Sequence, residues 1–442
     1  MASLLSLPAE LKLGIVKHLE ATSTSFILTP PQNLVSLSQV CKVFRTLSLP
    51  LLLKSITLQN EERSGSSVLA ILNSAYVEHV RNVHYIGIVD MPESLHWKGI
   101  EPSPEDFPVS MEQVLSRLTK LPNLKQVTVQ FFCGRMADEN GSNYWNSYDD
   151  FELLETEADE DVLESEKISA FRSLMEQSYS ASSRNPASSI KHLELKNVVA
   201  RKCSAWHLAD FHALLRGLSS FTISLSGGDN GAGWQINTVE GYLEFVSELH
   251  VYFFRHLSNL KHLSFAATSD GPPGIEGTMR SAALPLLGRQ MPQLQSLSLE
   301  YLFISEDLSA FIVAHSDTLE SIRLDHCYSG WKEQPATCWG DFFSSIASKN
   351  MKSLRTFNIA ASDLEQMQHK DSDDHDYGVA VRVQKFLEQF PERRMFDYKN
   401  MSDKYGFLFD SEDDAFEKFE SGSDHMSWEH LCKTIKKNRG DR

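Results

Sequence analysis

One short pattern constrains this chain more than any other feature. An apolar residue, two of any kind, a second apolar residue, one of any kind and a third apolar residue recur along its length. The units are Leu53/Ile56/Leu58, Val80/Val83/Tyr85, Leu124/Val127/Val129, Ile190/Leu193/Leu195, Leu218/Phe221/Ile223, Leu260/Leu263/Phe265, Leu294/Leu297/Leu299, Leu319/Ile322/Leu324 and Leu354/Phe357/Ile359. Successive units begin 27, 44, 66, 28, 42, 34, 25 and 35 residues apart. The last two apolar positions of each unit alternate, which is strand periodicity. Helical spacing precedes many units, at Trp206 to Arg216, Val239 to His256, Ser281 to Gln290, Leu308 to His315 and Phe342 to Ser348. The pattern predicts an α/β chain of repeated helix, turn and strand. Two architectures satisfy it. One is a solenoid with parallel strands and helices on the convex side; the other is a doubly wound sheet.

Alternation also makes a prediction about side chains. The residues between the strand anchors from Leu124 onward are Thr128, Glu194, Thr222, Ser264, Ser298, Arg323 and Asn358. All are polar, as an open sheet face requires.

Length supports growth by repetition. The chain has 442 residues, whereas one globular core stops growing near about 250–300. Its formal charge of −17 disfavours a phosphate-binding surface for nucleic acid and an anionic membrane partner. A protein partner stays open. Cys41, Cys133, Cys203, Cys327, Cys338 and Cys432 are widely spaced, without a zinc-type pair, and read as free thiols. The N-terminal stretch lacks a basic region before its apolar residues, so it reads as neither a signal peptide nor a membrane span. A cytoplasmic or nuclear location is expected.

The first fifty residues carry a different signal. Pro8 opens a helix whose Leu11, Ile15 and Leu19 recur every four residues. A second apolar pattern, Leu34, Leu37, Val40, Cys41, Phe44 and Leu47, is expected to stop at Pro50. Three short helices cannot bury so many apolar groups internally, so the surplus wants a partner.

LPAELKLGIVKHLE followed by LVSLSQVCKVFRTLSLPLL resembles an F-box. Leu7, Pro8, Glu10, Leu11, Ile15 and Leu19 match its first half; Leu34, Leu37, Val40, Cys41, Lys42, Phe44, Arg45 and Leu47 match its second. The likeness covers about a tenth of the chain. Two departures stand out: a link between Leu19 and Leu34 about ten residues longer than usual, and Phe44 at the common tryptophan position. Beyond it the repeated units resemble irregular leucine-rich repeats, without the asparagine of regular ones. The domains expected are an F-box at 3–50, a leucine-rich-repeat-like solenoid at 51–361 and a C-terminal cap at 362–442.

The resemblance implies a substrate receptor of an SCF-type cullin–RING ubiquitin ligase. The F-box would hold a Skp-type adaptor, and through it a cullin, by Leu7, Pro8, Leu11, Ile15, Leu34, Leu37, Val40, Cys41, Phe44 and Leu47. The repeats would hold a target protein, with Glu194, Lys196, Arg323, Asp325 and Asn358 on the open face. The alternative is a leucine-rich scaffold that binds the adaptor and modifies nothing. No catalytic residue, cofactor or metal is expected.

Other segments point to no chemistry. Residues 136–167 hold twelve acidic residues before Lys167 and read as a solvated insertion, cut first by proteases between Ala137 and Glu166. Gly227 to Gly233 lacks the register of a phosphate loop and reads as a turn. Asp371, Asp373 and His375 lack the glycine and glutamate of a calcium loop. His79, His84, His250 and His256 read as ordinary surface or core histidines. Lys433 to Arg439 reads as a solvated helix end.

Overall fold

The computed structural model describes residues 7–21, 32–89, 103–133, 158–185, 190–229, 233–274, 280–330, 337–349, 351–360 and 374–440. Each repeated unit folds as a strand. In chain order these are β1 Ser55–Gln59, β2 Asn82–Val89, β3 Gln126–Cys133, β4 His192–Val198, β5 Ser220–Leu225, β6 His262–Ala266, β7 Ser296–Phe303, β8 Ser321–Tyr328 and β9 Thr356–Ile359. All nine join one parallel sheet in the order β1 to β9. A doubly wound sheet reverses its strand order at a switch point; this order never reverses.

The anchors stand in register. Ile56, Val83, Val127, Leu193, Phe221, Leu263, Leu297, Ile322 and Phe357 form one continuous apolar row across the sheet. Leu58, Tyr85, Val129, Leu195, Ile223, Phe265, Leu299, Leu324 and Ile359 form the next. Both rows join the main core together with residues of the connecting helices. The connecting helices include α4 Glu62–Leu72, α5 Val109–Leu115, α6 Asp159–Ile168, α7 Ala170–Ser183, α8 Ala209–Gly217, α9 Glu240–Tyr252, α10 Glu306–Ala314 and α11 Trp339–Ser348, and all of these but α6 place residues in that core. Ahead of them in the chain lie α1 Ala9–Ala21, α2 Gln32–Val40 and α3 Lys42–Leu52. After β9 come α12 Asp374–Gln389, the antiparallel pair β10 Lys399–Met401 and β11 Leu408–Asp410, then α13 Glu412–Ser421 and α14 Ser423–Arg439.

Several expectations change. Ser281 to Gln290 is not helical; Pro285 removes a donor and Gly288 adds backbone freedom there. The third helix runs through Pro50 to Leu52 instead of stopping before it. The break falls at Cys41, whose φ of −162° and ψ of 168° are extended. Of the acidic segment, residues 136–157 lie outside the described residues, but its last part is α6. Glu166 there is buried and accepts hydrogen bonds from Ser204 N and Oγ at 2.8 and 2.6 Å, so the proposed cleavage zone ends before it. The C-terminal portion has its own helices and hairpin.

Trp206 ties the middle of the core together. It is fully buried, with the rings of Phe253, Tyr252, Tyr179 and Phe245 centred 5.1–5.8 Å away. Outside this cluster, His212 on α8 stacks on His256, with ring centroids 3.6 Å apart and planes 12° apart. Burial, the neighbouring imidazole and Arg255 hold His256 down to about 4; burial lowers His212 as well, with Arg255 and Arg216 adding to the effect. Both histidines therefore take up protons more readily when unfolded than when folded. Their contribution is present above the unfolded value near 6.5 and is lost as pH falls below it. Chemical denaturation at pH 7.5 and 5.0 is expected to show weaker folding at pH 5.0. The His212→Gln, His256→Gln double variant should show a smaller loss; an equal loss would place the acid sensitivity elsewhere.

Candidate functional site

Two surfaces contain the residues expected to carry function. The first is on α1, α2 and α3. These helices close a small core of their own around Val16, Leu34 and Phe44, each at most 1% exposed. Leu19, Leu37, Cys41, Leu47, Leu51 and Leu52 pack against it. Leu34 and Phe44 are thus spent inside the bundle, and Leu37, Cys41 and Leu47 support them. Leu34 and Phe44 cannot serve as open contact residues, although the residue pattern groups them with the adaptor positions; Leu37, Cys41 and Leu47 are only half-buried. On α1 Val16 is buried, next to the stripe position Ile15, which like Leu7 is half-buried. Pro8 is exposed, as are Leu11 at 56% and Val40 at 60%. Leu13 and Val43, absent from the sequence-based set, are also exposed. Among the described residues, four of the fourteen exposed large hydrophobic residues therefore lie on these three short helices. Exposed apolar groups concentrated on one small unit are what a binding surface needs.

The second surface is the polar face of the sheet. Thr57, His84, Thr128, Glu194, Thr222, Ser264, Ser298, Arg323 and Asn358 form one row in continuous register. This row contains every residue predicted between the anchors, and Thr57 and His84 extend it. A second polar row runs from Ser55 and Asn82 through Gln126, His192, Ser220, His262, Ser296 and Ser321 to Thr356.

The face is uneven in exposure. At one end His84, Thr128 and Gln130 are buried; at the other Arg323 and Asn358 are exposed. The reading of Thr128 as solvent-facing is corrected by that burial. Its hydroxyl and Gln126 Nε2 both donate to Glu194 Oε2 at 2.8 Å. Glu194 is thereby engaged within the sheet. Burial and the nearby Lys196 lower the affinity of His84 for a proton, with Glu194 opposing them.

Arg323 forms an ion pair with Asp325. The pattern treats them as two separate recognition charges; the geometry makes them one neutralised unit, an arrangement worth at most about 1 kcal/mol when exposed. Arg323→Glu is expected to lower the melting temperature only slightly, since its side chain is 64% exposed. The change should stay near about 0.5–1 kcal/mol, from the lost pair and the new repulsion. A cooperative melt shifted by more than about 10 °C would contradict this placement.

A third feature escaped the sequence pattern. Asn197, Tyr301 and His326 have positive φ values of 51°, 56° and 45°. Each stands two residues after the last strand anchor, following Leu195, Leu299 and Leu324. Glu300 pairs with Asp325 and Leu302 with Cys327, so Tyr301 and His326 fall between paired positions of the ladder. Their rings stack at 4.8 Å and 6°. Backbone of this kind costs about 1–3 kcal/mol for a residue with a side chain. Asparagine and histidine tolerate it better than most, a weak signal that was available in the sequence.

These groups hydrogen-bond and pair, and the buried thiols of Cys203 and Cys327 are pushed up by burial. Among the described residues no group of three or more His, Cys, Asp or Glu could hold a metal ion. Among them, too, no helix is long and apolar enough to cross a membrane. No family model matches the chain. No curated protein matches it either.

Proposed function

We propose that this chain is the substrate-recognition subunit of an SCF-type ubiquitin ligase. In this reading α1 to α3 are the F-box and bind a Skp-type adaptor, and through it a cullin. The strands β1 to β9 with their helices are an irregular leucine-rich-repeat solenoid that holds a target protein. The observation that carries the reading is the N-terminal bundle with its own core, which leaves Leu11, Leu13, Val40 and Val43 exposed. The unreversed strand order supports the solenoid, because stacked repeats place each strand beside the previous one. Cys327 adds support. It is the ninth position of the unit beginning at Leu319, where such repeats carry asparagine or cysteine. Its thiol reaches Asp325 O at 3.4 Å and Leu299 O at 3.6 Å, both within range for a weak sulfur donor.

The mechanism is proximity. A rigid receptor that holds a target beside a ubiquitin-conjugating enzyme raises the local concentration of the reacting lysine. No bond-making group is needed in this chain. Affinity purification of the full chain with and without proteasome inhibition tests the reading. Adaptor and cullin should co-purify in both, and a ubiquitinated target should accumulate only under inhibition. Failure to retain the adaptor overturns the F-box assignment. Retention of the adaptor with no protein stabilised favours the scaffold reading.

A further inference from the structure

The segment between β10 and β11 returns to the loop after β5 and builds a ladder of surface rings. Trp234 meets Tyr405 edge-on at 4.9 Å, Tyr405 stacks near Phe407 at 6.1 Å and 20°, and Phe407 lies 6.2 Å from Phe409. Phe407 is 42% exposed and Phe409 46%, while Trp234 and Tyr405 are half-buried. None of these rings belongs to the main core or to the rows of the sheet face.

The ladder is held in place by its backbone. Gln235 N donates to Tyr405 O at 2.8 Å, and Asn237 Nδ2 donates to Gly406 O at 3.0 Å. Gly406 has a φ of 75°, and a Cβ there would lie 2.0 Å from Asn237 Oδ1. Arg280 joins both segments, donating to Asp403 O at 3.0 Å and Thr238 O at 3.1 Å. The rings are therefore presented at fixed spacing, with little ordering left to do on binding.

We propose that this ladder docks an extended, proline-containing basic segment of a partner protein. Three observations carry the proposal. Successive members of the last three rings stand 6.1 and 6.2 Å apart, so together they can follow a polyproline segment over about one turn, which rises about 9.3 Å. Rings of this kind take proline and cations on their faces. The protein itself shows the second contact: Lys404 Nζ lies 4.6 Å from the Tyr405 ring and 5.6 Å from the Trp234 ring. The surrounding charge selects the same partner. Residues 399–414 carry two lysines against five acids; of these, Lys399 pairs with Asp410 at 3.0 Å, and Asp413 pairs with Arg382 at 3.5 Å. Nothing in the proposal depends on the adaptor reading.

The test uses the full chain and a fluorescein-labelled peptide of repeated Pro-Pro-Arg triplets, about a dozen residues long, read by fluorescence polarisation. Two further peptides replace each Arg by Glu, or each Pro by Gly. The Phe407→Ala, Phe409→Ala double variant is compared at matched melting temperature. Binding of the first peptide is expected, with both control peptides and the double variant at least about tenfold weaker. No binding by the intact chain, equal binding of the Glu peptide, or equal binding by the double variant would each overturn the proposal. So would preferential capture of a labelled single-stranded oligonucleotide, which exposed rings also stack on.

Discussion

The Leu11→Asp, Val40→Asp double variant is expected to lose adaptor binding by at least about a hundredfold while the chain stays folded. The two outcomes separate because of where these side chains stand. Leu11 is 56% exposed and Val40 60%, so neither contributes much to the bundle core. A carboxylate there keeps its water in the free protein. In the proposed complex it would be taken out of water without a partner, which costs several kcal/mol. About 2.7 kcal/mol already corresponds to a hundredfold. Leu34→Ala is the complementary control. Leu34 is 1% exposed between Val16 and Phe44, and truncating such a residue costs about 2–5 kcal/mol. It should unfold the bundle and lose the adaptor for that reason. Pull-down with a Skp-type adaptor and circular dichroism on the same samples distinguish the cases. A double variant that still binds as well as the parent would remove the F-box reading of this surface.

Much of the architecture was legible because its determinants are local and periodic. Each anchor triplet became a strand, and the polar residue between anchors landed in one row across the sheet. The period of two, once imposed by a buried face, leaves no other place for it. What could not be read were facts that depend on neighbours distant in sequence. Thr128 looks like any other polar row residue, yet it is buried and bonded to Glu194, 66 positions away. Arg323 and Asp325 alternate correctly but neutralise each other, which periodicity does not encode. In the bundle, the stripe through Leu11, Ile15 and Leu19 located a helix face but not its buried residue. That is Val16, one position off the stripe, because the packing of α2 and α3 decides it. Ser281 to Gln290 shows the opposite error, where apolar spacing was outweighed by Pro285.

The C-terminal portion offers a second sensitive position for stability. Asp424, at the start of α14, is 3% exposed. It accepts from Gly340 N at 2.8 Å and from Tyr398 OH at 2.6 Å, joining α14, the first turn of α11 and the strand leading into β10. Trp339 Nε1 donates to Asp397 O at 2.9 Å in the same layer. Asp424→Ala would strand the Gly340 amide and the Tyr398 hydroxyl in a dry interface. Each unmet buried donor costs about 1–3 kcal/mol, so a loss of about 2–5 kcal/mol is expected. Asp424→Asn should behave differently. Its amide can accept from Gly340 and donate to the Tyr398 oxygen, and it removes a charge that burial penalises. That penalty raises the carboxyl of Asp424 above its ordinary value. A raised carboxyl destabilises the fold above its folded value, and the loss is recovered as pH falls toward the unfolded one. Urea unfolding at neutral pH should therefore place the asparagine variant within about 1 kcal/mol of the parent, on either side, and the alanine variant far below both. Equal losses in the two would mean that the charge itself, balanced by a cation, holds α14 against α11.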